Sequence, residues 1–376
     1  MTTSKFSASL FVFSLAGCVG AADSMDLARQ VVPDQWEPVS LDSPIQHAFS
    51  EDARPNVFRV SAEDLSLSTA SNAENSFGAL IPYGAVWGPG SNLRVCFYNG
   101  SPQLRSFVAS IAKDWNLVGA DVTLDFGNMQ SPRTCTSQRY SAIRIAFNEG
   151  GGNWSYIGRE AITNAPKWDL PTMSLQPSDM GQVYVADAIV KHEFGHALGL
   201  IHEHQRPGSI GCGSEINLER AYTVFRPWPE EQTRRNLAPY EAPYPVETDI
   251  LDTSSIMMYN LPAAVLYRGE SSRCFTPYLN YQITDGDADV LIAAYSEEVQ
   301  AYIREAIEQR AFLAHSAGDM ASARQLAIAA QPYDVIESLA EDYEREGEFG
   351  FEPAPGTDVS SRVENRIDEF LASLGE

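Results

Sequence analysis

Hydrophobic and polar positions fall into distinct rhythms along the chain. Leu93-Arg94-Val95-Cys96-Phe97-Tyr98 has strand composition and stops at the Asn99-Gly100 turn signal. Ser101-Pro102 then opens a helix whose Leu104, Phe107, Val108, Ile111 and Trp115 recur at helical spacing. Residues 122–126 and 143–147 alternate as half-buried strands, and residues 172–175 are a further short strand candidate. Gly150, Gly151 and Gly152 mark a loop between Asn148 and Tyr156, and a helix is predicted from about Asp187 to Leu198. Strand, helix, three strands and a helix make a mixed layered arrangement.

Beyond Ser296 the composition shifts to Ala, Glu and Gln at helical spacing. Residues 311–332 read as helix, Gly318-Asp319 turn and helix, with Ala323, Leu326, Ala327 and Ala330 as an apolar face. One such hairpin resembles a lone tetratricopeptide-type unit, but with no second copy visible a plain helical hairpin is the better reading. Past the stretch from Gly347 to Gly356, Val359, Val363, Ile367, Phe370, Leu371 and Leu374 mark a terminal amphipathic helix, whose default role is docking onto its own protein. At the other end, Lys5 and the apolar run from Phe6 to Gly17 read as a secretory signal, too short to span a bilayer. Leu15-Ala16-Gly17-Cys18 resembles a bacterial lipobox, which implies acylation of Cys18; cleavage after Ala22 is the plainer alternative. The organisation expected is a signal peptide over 1–22, a tether or prosegment over 23–79, a catalytic domain over 80–296 and an acidic helical region over 297–376.

Composition sharpens this picture. The 376 residues are 44% hydrophobic, enough for substantial cores, and carry a formal charge of −24, which disfavours nucleic acid and anionic membrane as partners. Residues 297–376 hold 18 acidic and 6 basic side chains, so half of that imbalance lies in the tail. Apart from Cys18 the cysteines are Cys96, Cys135, Cys212 and Cys274, an even number in a chain read as exported. Of three possible connectivities, Cys96 with Cys135 and Cys212 with Cys274 is favoured because each pair brackets one half of the catalytic domain; four free thiols are the alternative.

The strongest chemical signal runs from His192 to His202 and reads H-E-x-x-H-x-x-G-x-x-H. On a helix, His192 and His196 stand one turn apart and can share one Zn²⁺. Gly199 can take a positive φ, end the helix and let His202 approach the same metal. Three imidazoles leave a fourth position open for water, as a catalytic zinc requires. Glu193 is placed to take that water's proton and to pass it to a leaving amine. His204 is expected outside the ligand set, and His47 and His315 are isolated. Arg206, Arg226, Arg234 and Arg235 are candidates for selecting acidic substrates, although each is more often a solvated arginine.

At these residues the chain resembles a metzincin metallopeptidase, and His202-Glu203-His204-Gln205-Arg206 is similar to the astacin subgroup. Ser255-Ile256-Met257-Met258-Tyr259 resembles the astacin Met-turn. That resemblance implies an α+β metzincin fold: a twisted mixed sheet with an active-site helix, a Met-turn subdomain and, here, a helical C-terminal extension. It also implies Met257 as an apolar floor beneath the zinc and Tyr259 as a switching ligand that stabilises the tetrahedral intermediate. Val86 to Gly90 resembles the start of mature astacin-type domains, Trp154 to Gly158 their loop before the edge strand, and Gly286 through Tyr295 their closing helix. Substrate is expected to pair with an edge strand, for which 172–175 is the candidate. In animal relatives the trimmed N-terminus is linked to the Glu after the third ligand, here Glu203; an acylated Cys18 is incompatible with that link. The function implied is a zinc endopeptidase acting on proteins or peptides, exported and membrane-bound only through a lipid anchor, or released after processing. The rival reading is a catalytically silent zinc-containing surface protein that binds partners through its acidic tail.

Overall fold

The computed structural model describes residues 58–60, 80–81, 85–135, 140–148, 152–164, 170–226, 228–240, 246–248, 250–331 and 359–373. Cys18, His47 and the stretch from Gly347 to Gly356 lie outside the described residues. Two short strands, β1 (Phe58–Val60) and β2 (Leu80–Ile81), precede the main sheet. In β3 (Ser91–Phe97), Leu93, Val95 and Phe97 face the core. Helix α1 (Pro102–Ala112) starts at Ser101, whose hydroxyl accepts from the Leu104 amide, and buries Val108, Ala109, Ile111 and Ala112. It carries the chain over to β4 (Val122–Asp125), which runs parallel to β3, as a parallel pair demands of its connection. A hairpin of β5 (Gly127–Asn128) and β6 (Ser131–Pro132) follows, and Cys135 beyond it is bonded to Cys96 of β3.

Strand β7 (Ile143–Phe147) lies on the other side of β3, parallel to it. It is buried along its whole length rather than on one face, as the alternating pattern had suggested. A parallel interior strand is covered on both faces, so even Arg144 is only 3% exposed, donating to the Leu170 and Ser141 carbonyls. The edge strand also differs from expectation. Strand β9 (Met173–Leu175) runs parallel to β7, but its other side is covered by the antiparallel β8 (Trp154–Ser155), giving the order β4-β3-β7-β9-β8. Residues 172–175 are therefore interior, and the edge is β8, from the segment expected to be a loop. A two-residue strand is too short to leave a periodic signal.

After the short helix α2 (Glu160–Asn164), the central helix α3 (Val183–Ala197) packs beneath the sheet. It starts four residues before the expected Asp187, because Val183 and Tyr184 in its first turn face solvent and break the apolar rhythm. Two tryptophans fasten it: Trp115 Nε1 donates to the Lys191 carbonyl and Trp87 Nε1 to that of Ala197. The chain around Ala85 passes so close to residue 158 that a Cβ there would lie 1.7 Å from the Ala85 oxygen; Gly158 has φ +49°. Only glycine fits that approach.

Beyond α3 the structure is less regular. Helices α4 (Leu218–Val224) and α5 (Glu230–Leu237) pack on a second core of Cys212, Ile216, Ala221, Leu237, Met258, Tyr259, Leu261, Val265, Leu266 and Cys274, and a short strand β10 (Val246–Thr248) follows α5 in the chain. Cys212 is bonded to Cys274. β10 joins β1 and β2 in a small three-stranded sheet.

Helix α6 (Asp285–Ala294) opens with a capping box between Thr284 and Asp287. Helix α7 (Glu297–Ser316) follows, and after Gly318 (φ +78°) comes α8 (Met320–Ala330). Val299, Ile303, Ile307 and Leu326 of this hairpin belong to the same apolar core as the sheet. The terminal helix α9 (Val359–Ser373) docks Ile367 and Leu371 onto Ala323 and Ala327. Among the described residues no helix is long and apolar enough to cross a membrane.

Candidate metal centre and active site

Helix α3 presents His192 and His196 one turn apart, with ring centroids 4.7 Å from each other. The helix ends at Leu198, and Gly199 takes φ +104°, a conformation that costs glycine little. The reversal returns His202 to the same spot, its ring 4.6 Å from that of His196 and 5.2 Å from that of His192. One ring nitrogen from each of the three lies within 4.8 Å of the others, and all three residues are buried.

Hydrogen bonds decide which nitrogen faces inward. His192 Nδ1 lies 2.8 Å from the Ile256 carbonyl and His196 Nδ1 2.7 Å from that of Leu200. A carbonyl only accepts, so both Nδ1 atoms carry the proton. His202 Nδ1 lies 2.7 Å from Gln205 Oε1. Burial, with mutual repulsion at His196 and His202, lowers the imidazole pKa values, that of His192 to about 4. All three rings are thus neutral and turn Nε2 lone pairs toward one point. His196 Nε2 and His202 Nε2 stand only 3.1 Å apart, two acceptors face to face. A shared cation relieves that repulsion, and three neutral imidazoles suit Zn²⁺.

Glu193, beside the first ligand, is buried, and burial pushes its carboxyl up to about 8. Met257 lies against the helix: a Cβ on Gly195 would come within 2.5 Å of its sulfur. The Tyr259 ring lies tilted against its neighbours, 4.2 Å from the His202 ring and 4.6 Å from that of His204. His204 is outside the ligand cluster, donating through Nε2 to the Asn236 carbonyl. His315 lies in the last turn of α7.

Glu203 has internal partners. Its Oε1 accepts from Arg206 Nη1 at 3.2 Å and from the Asp252 amide at 2.9 Å; burial, offset in part by Arg206, pushes its carboxyl up to about 8. Arg206 is 1% exposed and donates also to the Ile250 carbonyl, so it is no candidate for selecting acidic substrates. Arg234 pairs with Glu231.

Several groups escaped sequence reasoning. Gln205 holds His202, although nothing in its type or spacing marks it. Asp287 accepts from Ser255 Oγ at 2.6 Å and from the Ile256 amide at 3.0 Å, clamping the residue whose carbonyl orients His192. The sequence placed Asp287 only within the segment that resembles the closing helix and in the Thr284-x-x-Asp287 capping spacing, neither of which indicates this clamp.

Comparison with known proteins agrees with this geometry. The model of the Astacin peptidase family matches residues 129–265. The zinc metalloproteinase nas-27 of Caenorhabditis elegans is 33% identical over 79 residues, which are 20% of this chain and 16% of that protein. The chain thus matches only a small part of that curated relative. Among solved structures, myroilysin aligns with 28% identity and a TM-score of 0.47, covering 58% of this chain and 99% of that one. A hatching enzyme zinc-protease, HCE-1, from the medaka fish Oryzias latipes aligns with 18% identity and a TM-score of 0.33, covering 60% and 98%. Residues 129–265 hold both the zinc-binding motif and the Met-turn, and over that stretch the chain is similar to the Astacin peptidase family.

Proposed function

We propose that this protein is a zinc-dependent endopeptidase. The observation that carries the reading is the convergence of three neutral Nε2 lone pairs, two of them 3.1 Å apart, beside the buried carboxyl of Glu193. Zinc held there supplies a Lewis acid that acidifies water and polarises a carbonyl. Glu193 takes the proton that water loses as its oxygen attacks the scissile carbonyl carbon. It then delivers that proton to the amine nitrogen as the C–N bond breaks. Burial raises the Glu193 carboxyl, which favours its holding the proton between the two transfers. The Tyr259 hydroxyl donates to the oxyanion that develops on the substrate carbonyl. An extended protein or peptide substrate pairs with the edge strand β8, whose Trp154 packs edge-on against Tyr156.

Zinc content and cleavage of casein or a peptide library, measured for wild type and Glu193→Gln, test this. Both proteins are expected to hold zinc, with cleavage reduced about 10²- to 10⁴-fold in the variant. Equal cleavage by both would reject the role of Glu193, and zinc without cleavage in either would favour a binding protein that works through its acidic tail.

The same reading extends to location: an exported enzyme anchored by acylated Cys18. Two disulfides suit an oxidising compartment. Cys18→Ala should move the enzyme from the membrane to the soluble fraction, and an unchanged membrane signal would sink the anchor.

A further inference from the structure

The three ligand rings are each held through Nδ1, but by different kinds of group. His192 and His196 ride on α3 and donate to backbone carbonyls, acceptors that no substitution removes. His202 follows the helix in extended backbone, φ −64° and ψ 132°, and donates to a side chain, Gln205 Oε1. An amide can flip, so its orientation needs a cause. Gln205 Nε2 lies 2.7 Å from the Arg235 carbonyl and 3.0 Å from the Ala238 carbonyl. Both groups only accept, so both amide hydrogens point to them and Oε1 must face His202. The backbone of Gln205 is tied to the same segment, its carbonyl accepting from the Tyr240 amide. With 2% exposure the side chain has no water as an alternative partner.

We propose that Gln205 is a positioning residue of the metal centre. It transmits the placement of the segment at the end of α5 to the third ligand and holds His202 in the tautomer whose Nε2 lone pair faces the metal. This inference rests on His202 being a zinc ligand. Of the three Nδ1 acceptors described, Gln205 Oε1 is the one that a point mutation changes directly. It also adds a second tie between the end of α5 and the metal site, beside the bond from His204 to the Asn236 carbonyl.

Two variants test the proposal: Gln205→Met, of similar length without an acceptor, and Gln205→Glu, which keeps an oxygen on His202 while its second oxygen, protonated, donates to one of the carbonyls. Zinc affinity is read by competition with a chromogenic chelator, the His202 tautomer by nitrogen NMR, and folding by thermal unfolding. Gln205→Met should weaken zinc binding about 10- to 100-fold and lower kcat more than KM, and Gln205→Glu should recover most of the affinity. Unchanged affinity in Gln205→Met would overturn the proposal. So would equal weakening in both variants with a shared loss of thermal stability, the mark of packing alone. A wild-type chain that takes up no zinc would instead overturn the metal-centre reading itself, and this inference with it.

Discussion

Two regions meet at the histidines, and they are built by different means. On one side the five-stranded sheet, α1, α3 and the α7–α8 hairpin share a large apolar core made by periodic burial. On the other, the chain from Cys212 to Cys274 surrounds a much smaller core with short helices and turns, closed by a disulfide. The first region supplies two histidines of the cluster from one helix and fixes them on backbone carbonyls. The second supplies Met257, Tyr259 and the segment that orients His202. Regular structure satisfies its own backbone groups, whereas irregular structure needs specific side-chain bonds and cross-links. The second region is therefore where single side chains should matter most.

The largest expected contrast comes from the disulfides. Replacing Cys212 and Cys274 by Ser should cost about 2–5 kcal/mol and disturb zinc binding, while replacing Cys96 and Cys135 should leave the metal site loaded. Sequence separations of 62 and 39 predict a difference of only about 0.4 kcal/mol from loop entropy. A larger gap in thermal unfolding measures how far the sheet supports itself; no gap, with zinc retained in both, would erase the contrast. Next comes the contact between regions. Gly195→Ala pushes a methyl toward the Met257 sulfur and should cost about 1–3 kcal/mol, whereas a stability equal to wild type would show that the Met-turn yields easily. Asp287→Asn keeps one acceptor oxygen but weakens the clamp on Ser255 and Ile256, for about 1–2 kcal/mol in denaturant titrations. A variant with wild-type unfolding would remove Asp287 as a support of the second region.

The last effect is a slope. Glu160 is buried, and burial pushes its carboxyl up to about 8 when folded, against 4.5 for an ordinary Glu. Between those values the folded chain binds more protons than the unfolded one. Its contribution is complete below 4.5, and stability falls as pH rises through the window, by at most about 1.4 kcal/mol per pH unit. Glu160→Gln should flatten that part of the stability curve; an unaltered slope would assign the pH dependence elsewhere.

Legibility in the sequence followed the same division. The rhythm of residues 91–126 announced β3, α1 and β4, and the histidine spacing announced α3 and the glycine turn at 199, because these elements are long enough to repeat. The tail helices were legible for the same reason, down to the apolar face at Ala323 and Leu326 that the fold buries. The edge strand was misplaced because two residues cannot show a period and because β9 gives no sign of which neighbour covers it. The full burial of β7 was missed because alternation reports one face, while the second face is covered by chain far away. Arg206 read as a surface cation until Glu203 appeared beside it.

By itself the sequence determined the donor set: three imidazoles, a carboxyl and a glycine whose spacing, through the 3.6-residue turn and a positive φ, commits them to one point. Which nitrogen each imidazole offers, which strand is left open at the sheet edge and which groups hold the third ligand were decided only by tertiary structure. Leu200 and Gln205 are near neighbours of His196 and His202, but the Ile256 carbonyl that orients His192 and the Arg235 carbonyl that orients Gln205 lie 64 and 30 positions away. Local periodicity carries no information about such partners; only the packed chain brings them within hydrogen-bonding distance.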